Sequence, residues 1–313
     1  MSGHDSEQRL LYESLERALG PLCALPEDPG EWPAAAWQTV EAHGMLDVLA
    51  EEPQAWPLAV TIAAALGEYP VPLPIVETLL VRAFDPDAAR GAPATLEAAD
   101  GALPWGRFCR TALIGREGSC ARTTLEDVQH TGANLAGEPR DQCRIGAAEP
   151  LAVPVQRLAS GLALLRAAQC AGAMRACLNL SRQYVLERVQ FGRPLSRFQA
   201  IQQQMAQLAG ACAAADVGVQ YAGRRTRQAG LDEAAEAIAC AATRVLSAAA
   251  EVSAIAHQVH GAMGFTLEYP LHRYTQRLGA WSAELNLGGW AERLGGRALA
   301  RGGGDFWDGI VKI

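Results

Sequence analysis

The sequence has no Gly-x-Gly-x-x-Gly turn, so a nucleotide cofactor, if there is one, is not held by a Rossmann strand–turn–helix unit. It has no Cys-x-x-Cys pair and no His/Cys spacing of a zinc site. Its eight cysteines read as small buried apolar residues in a reducing compartment. It has no basic block. Lys and Arg total 27 against 34 Asp and Glu, a net charge of −7, so no polyanion-binding surface is written into the composition and nucleic acid is not an expected partner. Long uninterrupted apolar runs are also missing. The stretch Leu158 to Leu180 is broken by Arg166, Gln169 and Arg175, which argues against a bilayer span. The first ten residues are polar, without the apolar segment of a secretory signal. The expectation is a cytoplasmic protein with no membrane partner.

What is present is globular. Half of the 313 residues are apolar and only 19% are charged, and a chain of this length exceeds the size at which single cores stop growing. From Ser6 to Phe84 the pattern predicts short helices, Leu10–Leu19, Ala34–His43, Leu58–Leu66 and Ile75–Phe84, punctuated by Gly44, Gly67 and Pro74. Between Asp85 and Pro154 glycine and proline rise, and short runs such as Thr111–Ile114 and Thr123–Leu125 predict strands. After Pro154, apolar residues recur at three- and four-residue steps over Val155–Arg188, Arg197–Gln228 and Asp232–Met263. A fourth helix over Leu271–Arg297 would complete an antiparallel bundle. The fold class expected is mainly α, with a helical domain (residues 1–92), a reduced β middle domain (93–154) and a four-helix bundle (155–313). The glycine-rich end from Arg301 reads as loosely held or partner-contacting.

Two segments carry chemistry. Arg188-Val-Gln-Phe-Gly-Arg-Pro-Leu-Ser-Arg-Phe-Gln199 falls where one long helix ends and the next begins. A guanidinium at such a turn suits a pyrophosphate, and Phe191 suits a flat ring; equally, Arg188 could pair with helix-end carbonyls and Phe191 could plug the core. Gln258-Val-His-Gly-Ala-Met-Gly-Phe265 follows one helical pair later, and its glycines permit close backbone approach to a ligand. His260 alone reads as a structural histidine.

Together, in this order and followed by Glu268-Tyr-Pro-Leu-His-Arg273, the two segments resemble the signature of the acyl-CoA dehydrogenase family. Trp37–Gly44 and Leu66–Thr78 look like that family's N-terminal helices, and Gly132–Asp141 looks like its shortened bacterial members. The resemblance therefore covers nearly the whole chain. It implies FAD as cofactor, contacted by Arg188, Phe191, Gln199, Gln258, Gly261 and Gly264, with the flavin lodged mainly in a neighbouring subunit, hence an oligomer. It implies α,β-desaturation of an acyl-CoA thioester: a glutamate takes the α-proton, hydride leaves the β-carbon for flavin, and electron-transfer flavoprotein is the acceptor. The family's strand text of the Thr-Glu-Pro-x-Ala-Gly-Ser-Asp type is absent. The two places where the family carries its base hold Leu285–Asn286, with Glu284 as the nearest carboxylate, and Leu162. Three readings follow. The first is a short subunit paired in a heterotetramer with a longer dehydrogenase subunit acting on bulky, steroid-type thioesters. The second is a self-sufficient homo-oligomer using Glu284. The third is a helical scaffold that has lost its active site.

Overall fold

The computed structural model describes residues 3–301, apart from residues 27, 29, 99 and 100. The glycine-rich end beyond Arg301 lies outside the described residues. Five helices open the chain: α1 (Gly3–Leu19), α2 (Ala34–Ala42), α3 (Val48–Glu51), α4 (Trp56–Glu68) and α5 (Ile75–Phe84). Proline places two of these starts. Pro57 sits in the first turn of α4, where its missing N–H costs nothing, and Pro74 immediately precedes α5. Gly44 closes the turn after α2 at φ +67°, a conformation in which a side chain would be strained.

A five-stranded sheet follows: β1 (Ala94–Leu96), β2 (Leu103–Pro104), β3 (Thr111–Arg116), β4 (Ser119–Ala133) and β5 (Pro139–Pro154), in the order β1-β3-β4-β5-β2. Only β1–β3 is parallel. The sequence predicted short strands, but β4 and β5 form one long hairpin of 15 and 16 residues whose register slips at several bulges. The outer half of β4 is exposed, and the facing part of β5 buries Pro139 and the polar Asp141, so the hairpin carries no apolar alternation by which to read its length. Its inner half closes a small second core of Leu103, Ala112, Ile114 and Ala121.

The bundle comprises α6 (Val155–Glu187), α7 (Gln199–Glu233), α8 (Ala235–His260), α9 (Leu271–Leu285) and α10 (Leu287–Arg301). A two-residue ribbon, β6 (Val189–Gln190) and β7 (Arg193–Pro194), links α6 to α7. The predicted single fourth helix is in fact two. Asn286 adopts the left-handed conformation (φ 54°, ψ 79°), which asparagine tolerates better than other side chains, and the chain turns there. By length and composition alone, Ala235–Phe265 could cross a membrane; half of its apolar window is buried in the protein.

The opening helices and the bundle share one core. Leu19, Val40, Val60, Leu80, Leu164, Met174, Val219, Val245 and Leu278 all belong to it. The joint between them is backbone on backbone. A Cβ on Gly172 of α6 would lie 1.8 Å from the Ala64 carbonyl oxygen of α4, and one on Gly67 of α4 would lie 1.8 Å from that of Gln169. Two reciprocal glycines thus let α4 and α6 touch along their axes, closer than side chains allow.

Candidate functional site

A cavity of about 560 Å³ opens between α6, the strands β1 and β3, and the α9–α10 turn. One face of α6 lines it with Leu158, Leu162 and Arg166, four residues apart and therefore stacked turn upon turn. Leu96, Leu113, Val155, Leu285 and Trp290 add apolar wall, and the bend at Asn286 carries Glu284, Asn286 and Trp290 to the same space. Three carboxylates reach it, each from a different element and each paired with an arginine. Glu77 Oε1 accepts from buried Arg166 Nη2 at 2.6 Å, while Arg166 Nη1 donates to Gln169 Oε1 at 2.7 Å. Glu97 Oε2 accepts from Arg116 Nη1 at 3.0 Å and from the Gly115 N–H at 3.2 Å. Glu284 Oε1 accepts from Arg140 Nε at 2.8 Å and from Asn134 Nδ2 at 3.1 Å. Burial by itself would lower the Arg166 pKa, but the carboxylates of Glu77, Glu284 and Glu138 around it outweigh that and hold it above the ordinary arginine value.

Behind Glu284 lies a fully enclosed carboxylate, Glu138, at the tip of the β4–β5 hairpin. Arg277 Nε (3.2 Å), Trp281 Nε1 (3.2 Å) and Asn134 Nδ2 (3.0 Å) donate to it. Burial pushes its pKa upward, yet the guanidinium groups of Arg277, Arg140 and Arg166, together with the Asn134 hydrogen bond, more than offset this and hold it below the usual carboxylate range. Arg277, Trp281 and Glu284 recur along one face of α9 at four- and three-residue steps, so the hairpin tip docks on that face. Nothing in the apolar periodicity marks these residues. The available signal was the segment Gly132–Asp141, which holds Asn134, Glu138 and Arg140 within ten positions.

The second place is the end of the bundle where α6 and α8 both stop. The rings of Tyr184 and His260 lie 4.6 Å apart, His260 Nε2 is 3.1 Å from the Tyr269 hydroxyl, and that hydroxyl donates to the Leu180 carbonyl at 3.4 Å. His260 is buried and satisfied, as a structural histidine should be. The β6–β7 ribbon turns through Phe191 (φ 51°) and Gly192 (φ 77°), the pair of left-handed residues a tight hairpin requires. Phe191 is 90% exposed, which removes the core-plug reading. The exposed Arg188 side chain makes no hydrogen bond or ion pair among the described residues, so it does not pair with helix-end carbonyls either. Exposed Gln199 opens α7 beside this ribbon. Gln258 and Gly261 line a surface hollow with Ser253, His257 and Phe265. His257, which the sequence reading did not single out, stacks on Phe265 at 4.5 Å, and burial, then the nearby His272, lowers its pKa. Gly264 does not face the hollow: a Cβ there would meet His260 Cβ at 3.1 Å and His257 Nδ1 at 3.2 Å, so its smallness serves packing.

The profile of the acyl-CoA dehydrogenase C-terminal domain matches residues 155–281, the stretch that builds this bundle end. Acyl-CoA dehydrogenase IpdE2 of Mycobacterium tuberculosis is 30% identical over 231 residues, covering 70% of this chain and 70% of that protein. The chain belongs to the acyl-CoA dehydrogenase family. Among solved structures, a variant of the Tcur3481–Tcur3483 steroid ACAD superposes with a TM-score of 0.79 at 18% identity, covering 96% of this chain and 99% of that one. The ChsE4–ChsE5 complex of M. tuberculosis gives 0.74 at 19% identity, covering 94% and 97%. At that identity the likeness establishes the fold. It is the acyl-CoA dehydrogenase fold with a small sheet and a C-terminal helical bundle.

Within this acyl-CoA dehydrogenase fold the residues expected to hold FAD divide. Arg188, Phe191, Gln199, Gln258 and Gly261 sit at exposed positions in the two segments that Tyr184 and His260 bring to one end of the bundle, and Gly264 packs inside. A guanidinium and a side-chain amide can donate to a pyrophosphate, an exposed ring can pack on a flat heterocycle, and Gly261 at φ 57°, three residues after Gln258, leaves room for close approach. These residues fit part of FAD. The hollow beside them is open to solvent, whereas nucleotide sites bury most of their ligand, so the fit asks for a second surface. Both positions where the family carries its base, Leu162 and the Leu285–Asn286 turn, line the cavity, with Glu284 next to the latter.

Proposed function

We propose that the chain is one subunit of an oligomeric, flavin-dependent acyl-CoA dehydrogenase. In this reading it supplies Arg188, Phe191, Gln199, Gln258 and Gly261 to an FAD site shared with a longer dehydrogenase subunit, and the partner supplies the base. The observation that carries this reading is the contrast in pairing: every described carboxylate in the chain's own cavity is tied to an arginine, while Arg188 and Gln258 are untied and exposed. A carboxylate whose oxygens are already engaged by a guanidinium is held for structure and is not aimed at a substrate proton, and the α-proton of a thioester needs a base placed close to it. FAD, when bound, supplies the hydride acceptor; this chain's residues grip its phosphates and cover its ring. Glu284 becomes an anchor for the hairpin tip. The names of the structural relatives include steroid-acting and two-component enzymes, which supports a bulky acyl-CoA substrate and a hetero-oligomer. Electron-transfer flavoprotein fits as the acceptor, and eight free cysteines fit a reducing cytoplasm.

Expression decides between this and the self-sufficient reading. The chain alone is expected to be colourless and inactive. Co-expressed with a longer acyl-CoA dehydrogenase subunit, it is expected to be yellow and to reduce an artificial acceptor with an acyl-CoA. A yellow, active chain on its own whose turnover is abolished by Glu284→Gln would replace the shared-site reading with the homo-oligomeric one.

A further inference from the structure

Away from the main cavity and the open bundle end, a hollow of about 650 Å³ lies between α1, the α3–α4 turn with the start of α4, and the second half of α7. Close packing fixes its shape. A Cβ on Gly223 of α7 would lie 3.0 Å from Val60 Cγ2 and 3.6 Å from Pro57 Cα, so α7 rests directly on the first turns of α4. Gln220, Arg224 and Arg227 follow one another at steps of four and three, which puts a single face of α7 along the hollow. The other elements contribute Leu11, Ala55, Pro57 and Leu58, all half-buried, and these leave apolar surface inside it. The charged lining is Arg224 and Arg227 against Glu52, an excess of one positive charge on a chain whose net charge is −7. Among the described residues neither arginine pairs with a carboxylate, and the side-chain amides of Gln54 and Gln220 make no hydrogen bond. Arg225, between the two, is not part of the lining and donates to Gln228 Oε1 at 3.3 Å.

We propose that this hollow binds a small organic phosphate monoester. Two planar guanidinium forks one helical turn apart can share the three oxygens of a dianionic phosphoryl group, whereas a monocarboxylate gives them one charge and two oxygens. Gln54 and Gln220 add neutral donors, and the organic body of the ester lies on Leu11, Pro57 and Leu58. The volume falls within the range of about 300–1,000 Å³ usual for organic ligands. This phosphate is not the flavin's. Gln199 opens α7 and Arg224 stands far along the same helix, roughly 37 Å away at about 1.5 Å per residue. Binding here is independent of the shared-flavin reading and adds no step to dehydrogenation.

The test is calorimetric titration of the purified full-length chain with phenyl phosphate, inorganic phosphate and benzoate at fixed ionic strength and about pH 8, well above the second phosphate pKa of about 6. Phenyl phosphate is expected to bind at least about fivefold tighter than benzoate, the size of one added charge contact at a partly exposed site. Arg224→Gln and Arg227→Gln should each weaken it by about three- to fivefold, and the double variant should lose it, while Arg225→Gln leaves it unchanged. Leu58→Ala should weaken phenyl phosphate and spare inorganic phosphate. Undiminished binding by the double variant, an equal loss in Arg225→Gln, inorganic phosphate binding as tightly as the ester, or no saturable binding of the ester would each overturn the proposal. So would a hexaglutamate peptide that binds where phenyl phosphate does not, which would assign the surface to an acidic protein segment. The double variant co-expressed with a longer subunit should keep its flavin absorbance; loss of flavin there would tie these arginines to the shared site and overturn the independence claimed here.

Discussion

All but one of the 27 basic residues are arginine, Lys312 being the exception, and the polar interior is built from their planar forks. Arg166, Arg277 and Arg140 converge on Glu77, Glu138 and Glu284, which no apolar periodicity could have revealed because the contacts join residues 89 to 144 positions apart. Glu138→Gln removes the carboxylate that Arg277 faces, and breaking a buried pair of this kind costs up to about 3–5 kcal/mol, measurable by urea unfolding. The pH dependence follows from the same group. Its folded pKa lies below the unfolded value of about 4.3, so its contribution is present above the unfolded value and is lost as pH falls from there through the folded one. The unfolding midpoint of the unaltered chain is therefore expected to drop as pH falls below about 4.3, and that of Glu138→Gln to drop less. At the other end of the bundle, Arg188→Ala alters an exposed side chain with no described partner. Stability should change by no more than about 0.5 kcal/mol, while the co-expressed complex loses its flavin absorbance. Retention of flavin at full occupancy would remove Arg188 from the phosphate site.

At the scale of elements, proline and glycine punctuation marked the opening helices well, and three- and four-residue apolar steps marked α6, α7 and α8. The break in the fourth helix was not legible, because Asn286 interrupts α9–α10 by a single left-handed residue within a sequence that otherwise continues the pattern. That one residue sets the cavity, since it carries Glu284 and Trp290 to the face opposite Leu162. The α4–α6 joint was equally hidden. Gly67 read as a helix stop, yet it lies inside α4 and its role is to admit the α6 backbone. Gly172→Ala places a methyl group against the Ala64 carbonyl and is expected to destabilise by about 1–3 kcal/mol or more in thermal unfolding. Gly210→Ala, on an exposed face of α7 with nothing within 4 Å, should instead stabilise the isolated chain by about 0.5–1 kcal/mol. Equal effects at the two positions would mean that the close approach is not maintained in solution.

For the whole molecule, hairpin and α9 share a polar joint, and the open bundle end, in the proposed function, depends on a second surface. Apolar burial, at roughly 1.5–3 kcal/mol for each large side chain, is the main source of cohesion in the shared core. Arg166–Glu77 and Arg175–Glu68 tie α6 to α5 and α4, while Arg277–Glu138 and Arg140–Glu284 fix the hairpin tip over α9. The expected assembly is therefore a stable folded chain that acquires flavin on association. Light scattering with flavin absorbance on the co-purified complex should show fewer flavins than chains. One flavin for every chain would favour the homo-oligomer.

The sequence alone determined the order of helices, strands and bundle, and it marked the two segments that meet at the α6–α8 end, because helix stops, glycines and a paired motif are local features. Tertiary structure alone decided which carboxylates are neutralised, where the fourth helix bends and which glycines are contacts. Those outcomes depend on groups brought within hydrogen-bonding distance from elements far apart in the chain, and burial, not spacing, sets the strength of their pairing.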